Sequence, residues 1–185
     1  MSSAVSWRDQ GVVITQQAGF PVSITSTTSI SVSGNPKSTF TLAIRVPGWS
    51  RSVGNSITVN GQPLYGELTP GTYMSIHRAW TDGDVVGVYF AMQLTSVPLV
   101  DTRPRYNATM AFMYGPLVLA GLTGSAMFQP NGTATDPSSF IIRNSTEQLT
   151  FEAVGRLDST EPFKPMAMIP LMDVTDEGYA PAVEH

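Results

Sequence analysis

Ile57-Thr58-Val59-Asn60-Gly61-Gln62-Pro63 decides the fold class. Ile57 and Val59, β-branched and two positions apart, run into Asn-Gly, the pair best able to take the two positive φ angles of a type I′ turn, so a β-hairpin is predicted here. Upstream, Phe40, Leu42, Ile44 and Val46 repeat with the period of a strand, and Pro47-Gly48 ends it before Trp49. Further upstream, Val22, Ile24, Ile30 and Val32 all occupy even positions, as far as the turn residues Ser33-Gly34-Asn35-Pro36. Downstream of Pro70-Gly71, Met74 and Ile76 point one way while Tyr73, Ser75 and His77 point the other, giving a half-buried strand that Trp80 closes. Asp82-Gly83 then turns the chain into Val85-Val86-Gly87-Val88-Tyr89-Phe90, apolar on both faces and expected as a central strand covered on both sides. Tyr106, Ala108, Met110, Phe112 and Tyr114 alternate again, and Leu117-Val118-Leu119-Ala120 follows across Gly115-Pro116.

The composition of the 185 residues agrees with this reading. The chain has 17 Val, 9 Ile and 20 Thr, side chains stiff at χ1 and suited to a pleated surface, together with 19 Ser, 16 Gly and 14 Pro for turns. Strand signals separated by turn residues predict an all-β chain, a jelly-roll-like β-sandwich of short antiparallel strands. Residues 1–123 are expected to form the sandwich core, 124–139 a loop or excursion, 140–158 further strands of the same domain, and 159–185 an extended tail carrying Pro162, Pro165, Pro170 and Pro181.

Several function classes are disfavoured. The net charge is −4 and Lys37 and Lys164 are the only lysines, so the clustered cations that nucleic-acid phosphates require are missing. With no cysteine the chain has no disulfide, no thiolate nucleophile and no cysteine-based zinc site. The longest uncharged run, Tyr106 to Thr135, is interrupted by Gly115-Pro116 and is too short in its apolar part for a membrane helix. The opening Met1-Ser2-Ser3-Ala4-Val5-Ser6-Trp7-Arg8 lacks the apolar stretch of a signal peptide, so export would need a signal elsewhere, and the compartment stays open. Charge is low, at 13% of residues against a usual figure of about 25%, which predicts that the chain associates with itself or with a partner.

The inventory for chemistry is thin. His77 is the histidine within the patterned region, and nothing near it in sequence spells a triad or a metal pair. Asp82 and Asp84 flank Gly83, where aspartate serves a turn, rather than forming the spaced carboxylate pair of a glycosidase. Trp49, His77 and Trp80 are candidate carbohydrate contacts, since a flat ring beside polar donors can hold a sugar, although tryptophans at strand ends also seal a core. Asn107, Asn131 and Asn144 each open an Asn-x-Thr acceptor pattern for N-glycosylation.

Leu42-Ala43-Ile44-Arg45-Val46-Pro47-Gly48-Trp49, Val59-Asn60-Gly61-Gln62-Pro63, and Pro70-Gly71-Thr72-Tyr73-Met74-Ser75-Ile76-His77-Arg78-Ala79-Trp80 occur in that order. Asp101-Thr102-Arg103-Pro104-Arg105-Tyr106 and Tyr114-Gly115-Pro116-Leu117-Val118-Leu119-Ala120-Gly121 complete the series. Together they resemble the C-terminal β-sandwich region of glycoside hydrolase family 127, the β-L-arabinofuranosidase-like proteins. The opening Ser6-Trp7-Arg8 and the Asp-x-Arg-Pro-x-Tyr form look closest to plant-like eukaryotic members. The resemblance implies that catalysis belongs to a separate (α/α)6 barrel with a zinc-bound cysteine nucleophile and a glutamate acid/base. None of those residues has a counterpart here, so it implies a non-catalytic accessory domain whose partner is that barrel and which itself needs no cofactor. The alternative is a stand-alone carbohydrate-binding module.

Overall fold

The computed structural model describes residues 2–20, 27–36, 39–100, 102–103, 109–122, 129–156 and 159–175. Val22, Ile24, Tyr106, Ala108 and Asn107 lie outside the described residues. The chain divides into two compact units, Met1–Met92 and Gln93–His185, whereas the sequence pattern groups 1–123 together.

The first unit contains β1 (Ser2–Trp7), β2 (Val12–Ala18), β3 (Thr27–Gly34), β4 (Phe40–Arg45), β5 (Ser56–Val59), β6 (Gln62–Leu64), β7 (Tyr73–Arg78) and β8 (Val85–Tyr89). Six of them form an antiparallel sheet in the order β1-β2-β3-β8-β5-β6, and β4 pairs with β7 as a separate two-stranded ribbon. The hairpin between β5 and β6 forms as expected: Val59 pairs with Gln62, and the two residues between them, Asn60 and Gly61, have φ of 52° and 77°.

Register puts the apolar residues of neighbouring strands in one row. Ile14 faces Val32, Ile30 faces Val86, Val86 faces Val59, and Val88 faces Ile57. The ribbon brings Phe40, Ile44 and Ile76 to the same core, with Val46 and Trp80 beside them. Six strands thus share one hydrophobic layer with two, which is an uneven sandwich.

The expectation of a strand covered on both sides fails at β8. Its alternate residues Val86 and Val88 are buried, but Val85 and Tyr89 are 38% and 40% exposed. Gly87 between them carries no side chain, and a Cβ there would meet Thr58 Oγ1 at 2.6 Å. The strand is central in its sheet, yet its second apolar row faces outward, where Val and Tyr are favoured by the pleated backbone rather than by burial.

The second unit contains β9 (Leu94–Pro98), β10 (Met110–Tyr114), β11 (Leu117–Gly121), β12 (Gln129–Pro130), β13 (Ile141–Arg143), β14 (Phe151–Arg156) and β15 (Lys164–Pro170). The order is β12-β14-β15-β11-β10-β9, with β13 also paired to β14. Gly115 and Pro116 form the two-residue turn between β10 and β11, and Gly115 has the positive φ, 57°, that a type II′ turn needs at its first central position. Phe140, Ile141, Phe151, Ala153, Leu119 and Met168 make the core.

Part of the expected tail is therefore structural. Lys164–Pro170 runs between β14 and β11, with Met166 half-buried and Met168 and Pro170 buried on one face. Its prolines are tolerated because β14 pairs residues 164–168 while β11 pairs 168–170, so Pro165 and Pro170 each lie where the strand has one neighbour rather than two.

The one-sided burial of β8 predicts unequal effects of the same isosteric change. Val86→Thr, placing a hydroxyl in the core, should cost about 1–3 kcal/mol in urea unfolding, whereas Val85→Thr should stay within about 0.5 kcal/mol of the parent.

Candidate functional site

A polar cluster in the first unit grows from two turns. Asn60, held in the left-handed region by its hairpin, donates from Nδ2 to Asp84 Oδ1 at 2.7 Å and accepts the Val85 N–H on Oδ1 at 2.8 Å. Asp84 Oδ2 accepts the Thr81 N–H at 2.9 Å and lies 3.6 Å from Arg78 Nη2. The same turn reaches β3, because Asp82 Oδ1 accepts the Gly34 N–H at 2.7 Å and the Asp84 carbonyl accepts the Val32 N–H at 2.9 Å. Arg78 lies 5.2 Å over the Trp80 ring, and Trp80 Nε1 donates to the Phe40 carbonyl at 3.0 Å.

Asp84 is 4% exposed. Burial raises its carboxyl, but hydrogen bonds from Asn60 and from the backbone and side chain of Thr81, with the Arg78 charge, outweigh burial and hold the pKa below its ordinary value of 3.8. A carboxylate kept ionised, with both oxygens engaged, is a poor proton donor and a poor nucleophile. This cluster clasps the β5–β6 hairpin, the turn before β8 and the end of β7.

The three candidate sugar contacts do not share a face. Trp80 is 3% exposed, with Phe40 stacked at 5.7 Å on the core side and Arg78 over its ring, so no ring face is left for a sugar. Trp49 is half-buried and meets Phe90 edge to face at 6.3 Å. Its turn is held by Ser50, whose hydroxyl donates to the Pro47 carbonyl at 2.8 Å, and by Asn55, which donates to the Arg51 carbonyl and accepts the Ala91 N–H. His77 is exposed on the outward side of the ribbon, its Nδ1 2.9 Å from Thr41 Oγ1.

That outward side also holds a pair the sequence did not single out, Arg45 lying 5.5 Å over Tyr73. Tyr73 reads as outward from the strand period alone, but its partner depends on the pairing of β4 with β7, which no local pattern announces.

In the second unit Asn131 and Asn144 are exposed. Arg143 donates to the carbonyls of Thr146 and Gln148, which orders the loop after Asn144. The zinc site implied by the sequence resemblance does not fit these residues, since it needs thiolates and the chain has no cysteine. Among the described residues no three of His, Asp and Glu come together either. A shallow open hollow beside Ser6, Arg8, Gly11 and Ser33 offers Arg8 as its one charged lining residue.

The clasp predicts a signed pH dependence. A folded pKa below the unfolded one stabilises the fold fully above about pH 4, and the contribution is lost as pH falls through the folded value. The urea midpoint should therefore drop on acidification below about pH 4, and Asp84→Asn should flatten part of that drop. Asp84→Ala leaves the Asn60 amide and the Thr81 N–H without their acceptor and should cost about 1–3 kcal/mol. An acid profile unchanged in Asp84→Asn would contradict the electrostatic role given to this group.

Residues 1–92 match a family model described as β-L-arabinofuranosidase, GH127 middle domain. No curated protein matches the chain in sequence. Among solved structures, one described as a glycoside hydrolase superposes with a TM-score of 0.62 at 20% identity, covering 91% of this chain and 31% of the other. A GH127 β-L-arabinofuranosidase from Geobacillus stearothermophilus T6 gives 0.56 at 22% identity over 91% and 29%. A further GH127 β-arabinofuranosidase gives 0.56 at 19% identity over 91% and 30%. Identities this low show a shared fold, and the chain spans about 30% of the length of these structures. The family match ends at residue 92, where the first compact unit also ends. Through residues 1–92, its whole first unit, the chain is similar in sequence to the middle domain of glycoside hydrolase family 127.

Proposed function

We propose that this chain is a non-catalytic β-sandwich accessory region of a β-L-arabinofuranosidase-like glycoside hydrolase, supporting a catalytic (α/α)6 barrel in carbohydrate degradation. The observation that carries the reading is the coincidence of the family match with one complete structural unit, Met1–Met92. The chemistry supports it, because the buried carboxylate of that unit, Asp84, is committed to turn contacts. We place the region C-terminal to the barrel, and the Ser6-Trp7-Arg8 opening and the Asp101-Thr102-Arg103 run favour plant-like eukaryotic members as its nearest kin. If the parent passes through a secretory route, the exposed Asn131 and Asn144 are suited to N-glycosylation.

A second reading, carbohydrate binding by the chain alone, draws on the exposed polar ribbon around His77 and on the half-buried Trp49.

Two measurements separate these roles. The 185-residue chain should release no L-arabinose from β-L-arabinofuranosides, while the polypeptide that includes its barrel should do so; turnover by the chain alone would overturn the accessory role. Titration with arabinose-containing oligosaccharides should show no saturable binding at millimolar sugar. Saturation that weakens about tenfold or more in His77→Ala, a loss of about 1.4 kcal/mol, would instead establish the second reading.

A further inference from the structure

A free strand edge is a row of unpaired N–H and C=O groups, and proteins usually guard it with proline, charge or brevity. Among the described residues, seven strands have such an edge, and six of them are guarded. Proline stands in β6 (Pro63), β9 (Pro98) and β12 (Pro130), and a charged residue in β4 (Arg45), β7 (Arg78) and β13 (Arg143). The exception is β1, Ser2-Ser3-Ala4-Val5-Ser6-Trp7, whose six residues include neither and are all exposed.

We propose that β1 is a pairing edge for a second copy of this chain, joining two six-stranded sheets into one continuous antiparallel sheet. This goes beyond the accessory role and does not depend on it. Several features favour a second copy as the occupant. An uncharged strand meets its own copy without like-charge repulsion, and antiparallel pairing about a two-fold axis satisfies both edges at once.

The register follows from the side-chain rows. Val5 pairs with Ile14, and Trp7 with Val12, so Ser3, Val5 and Trp7 belong to the inner face and Ser2, Ala4 and Ser6 to the outer. A two-fold axis normal to the sheet keeps each face on its own side, so inner-face residues must meet inner-face residues. Among the allowed registers, one sets Val5 opposite Val5 of the second copy and Trp7 opposite Ser3. That register covers the two large apolar side chains of the strand, Val5 at 64% and Trp7 at 38% exposure, with five residues of each strand paired, whereas pairing centred on Ser6 sets Val5 opposite Trp7 but overlaps only three. Trp7 is already fixed edge-on against Phe40 at 5.3 Å, so little ordering remains to oppose pairing there. A single strand pair buries less than the roughly 800 Å² per partner of a standard interface, so the association is weak and reversible.

Because the chain contains no cysteine, a single engineered thiol reports the contact without background. Opposed residues of an antiparallel pair have Cβ atoms about 4.5–5.5 Å apart, near the range a disulfide can bridge after small adjustment. Val5→Cys in the full chain should therefore form a covalent dimer under mild oxidation at least about tenfold faster than Val13→Cys, an outward-facing position one strand in. Sedimentation of the unmodified chain should show a monomer–dimer equilibrium in the micromolar to millimolar range, which Val5→Lys, setting two ammonium groups opposite each other, should shift to monomer. Monomer throughout that range, equal cross-linking at positions 5 and 13, or a dimer unaffected by Val5→Lys would each overturn the proposal. Monomer accompanied by slow hydrogen exchange in β1 would indicate that the edge is closed within the chain, and would overturn it too.

Discussion

A six-stranded sheet whose inner face carries Val12, Val32, Ile57, Val59, Val86 and Val88 has to be kept from water, and the layer available to cover it is two strands wide. Much of the first unit answers that mismatch in width. The ribbon supplies Phe40, Ile44 and Ile76, and large rings extend the cover where strands are missing: Trp80 stacks on Phe40, Trp7 meets the same ring edge-on, and Trp49 meets Phe90. Aromatic side chains suit this task because each removes a large area from water with few rotatable bonds. Tryptophans that could hold a sugar in another setting are here used to widen a core, and β1, at the edge of the sheet, keeps Val5 largely in solvent.

The same narrow cover explains why a charge is buried. The turn from Trp80 to Asp84 has to return the chain from the ribbon to the sheet beside the Asn60-Gly61 hairpin, and the turn's backbone groups need partners. One carboxylate accepts from both the Thr81 backbone and the Asn60 side chain, and Arg78 adds its charge from a position partly in water. Screening at Arg78 limits what the ion pair contributes, so the hydrogen bonds carry more of the stabilisation. The perturbed pKa of this aspartate therefore marks a structural joint, and a low pKa at a buried carboxylate does not by itself identify a reacting group.

The features legible from sequence were those fixed within a few residues. Asn60-Gly61 and Gly115-Pro116 specify their turns by local φ preferences, and Phe40 to Val46 and Tyr73 to His77 alternate with a clean period of two. β15 was missed because its inward row is Met166, Met168 and Pro170, residues that neither branch at Cβ nor favour strands, and its tolerance of proline depends on where β14 and β11 stop. The division after Met92 gave no signal, since Ala91-Met92-Gln93 has none of the glycine, proline or charge that marks a linker. Among the candidate contacts, His77 and Trp80 are three residues apart and lie on opposite sides of the ribbon, as the period-2 alternation of an extended chain places residues an odd number of positions apart.

What the first unit offers a neighbour follows from its outer face. Across β1, β2, β3 and β8 the outward row runs through Ala4, Thr15, Ser31 and Val85, and Thr58 of β5 stands opposite Gly87 on the same face, without one charged side chain among them. Covering a hydroxyl-rich surface requires exchanging hydrogen bonds with water for hydrogen bonds with a partner, whereas covering a charged one requires removing ions from water, a far larger penalty. The centres of protein interfaces are depleted of charge for that reason. A sheet whose buried aspartate is closed into its own turns, and whose outward rows carry no charge among the described residues, is suited to being packed against, a physical bias in keeping with the supporting role proposed above.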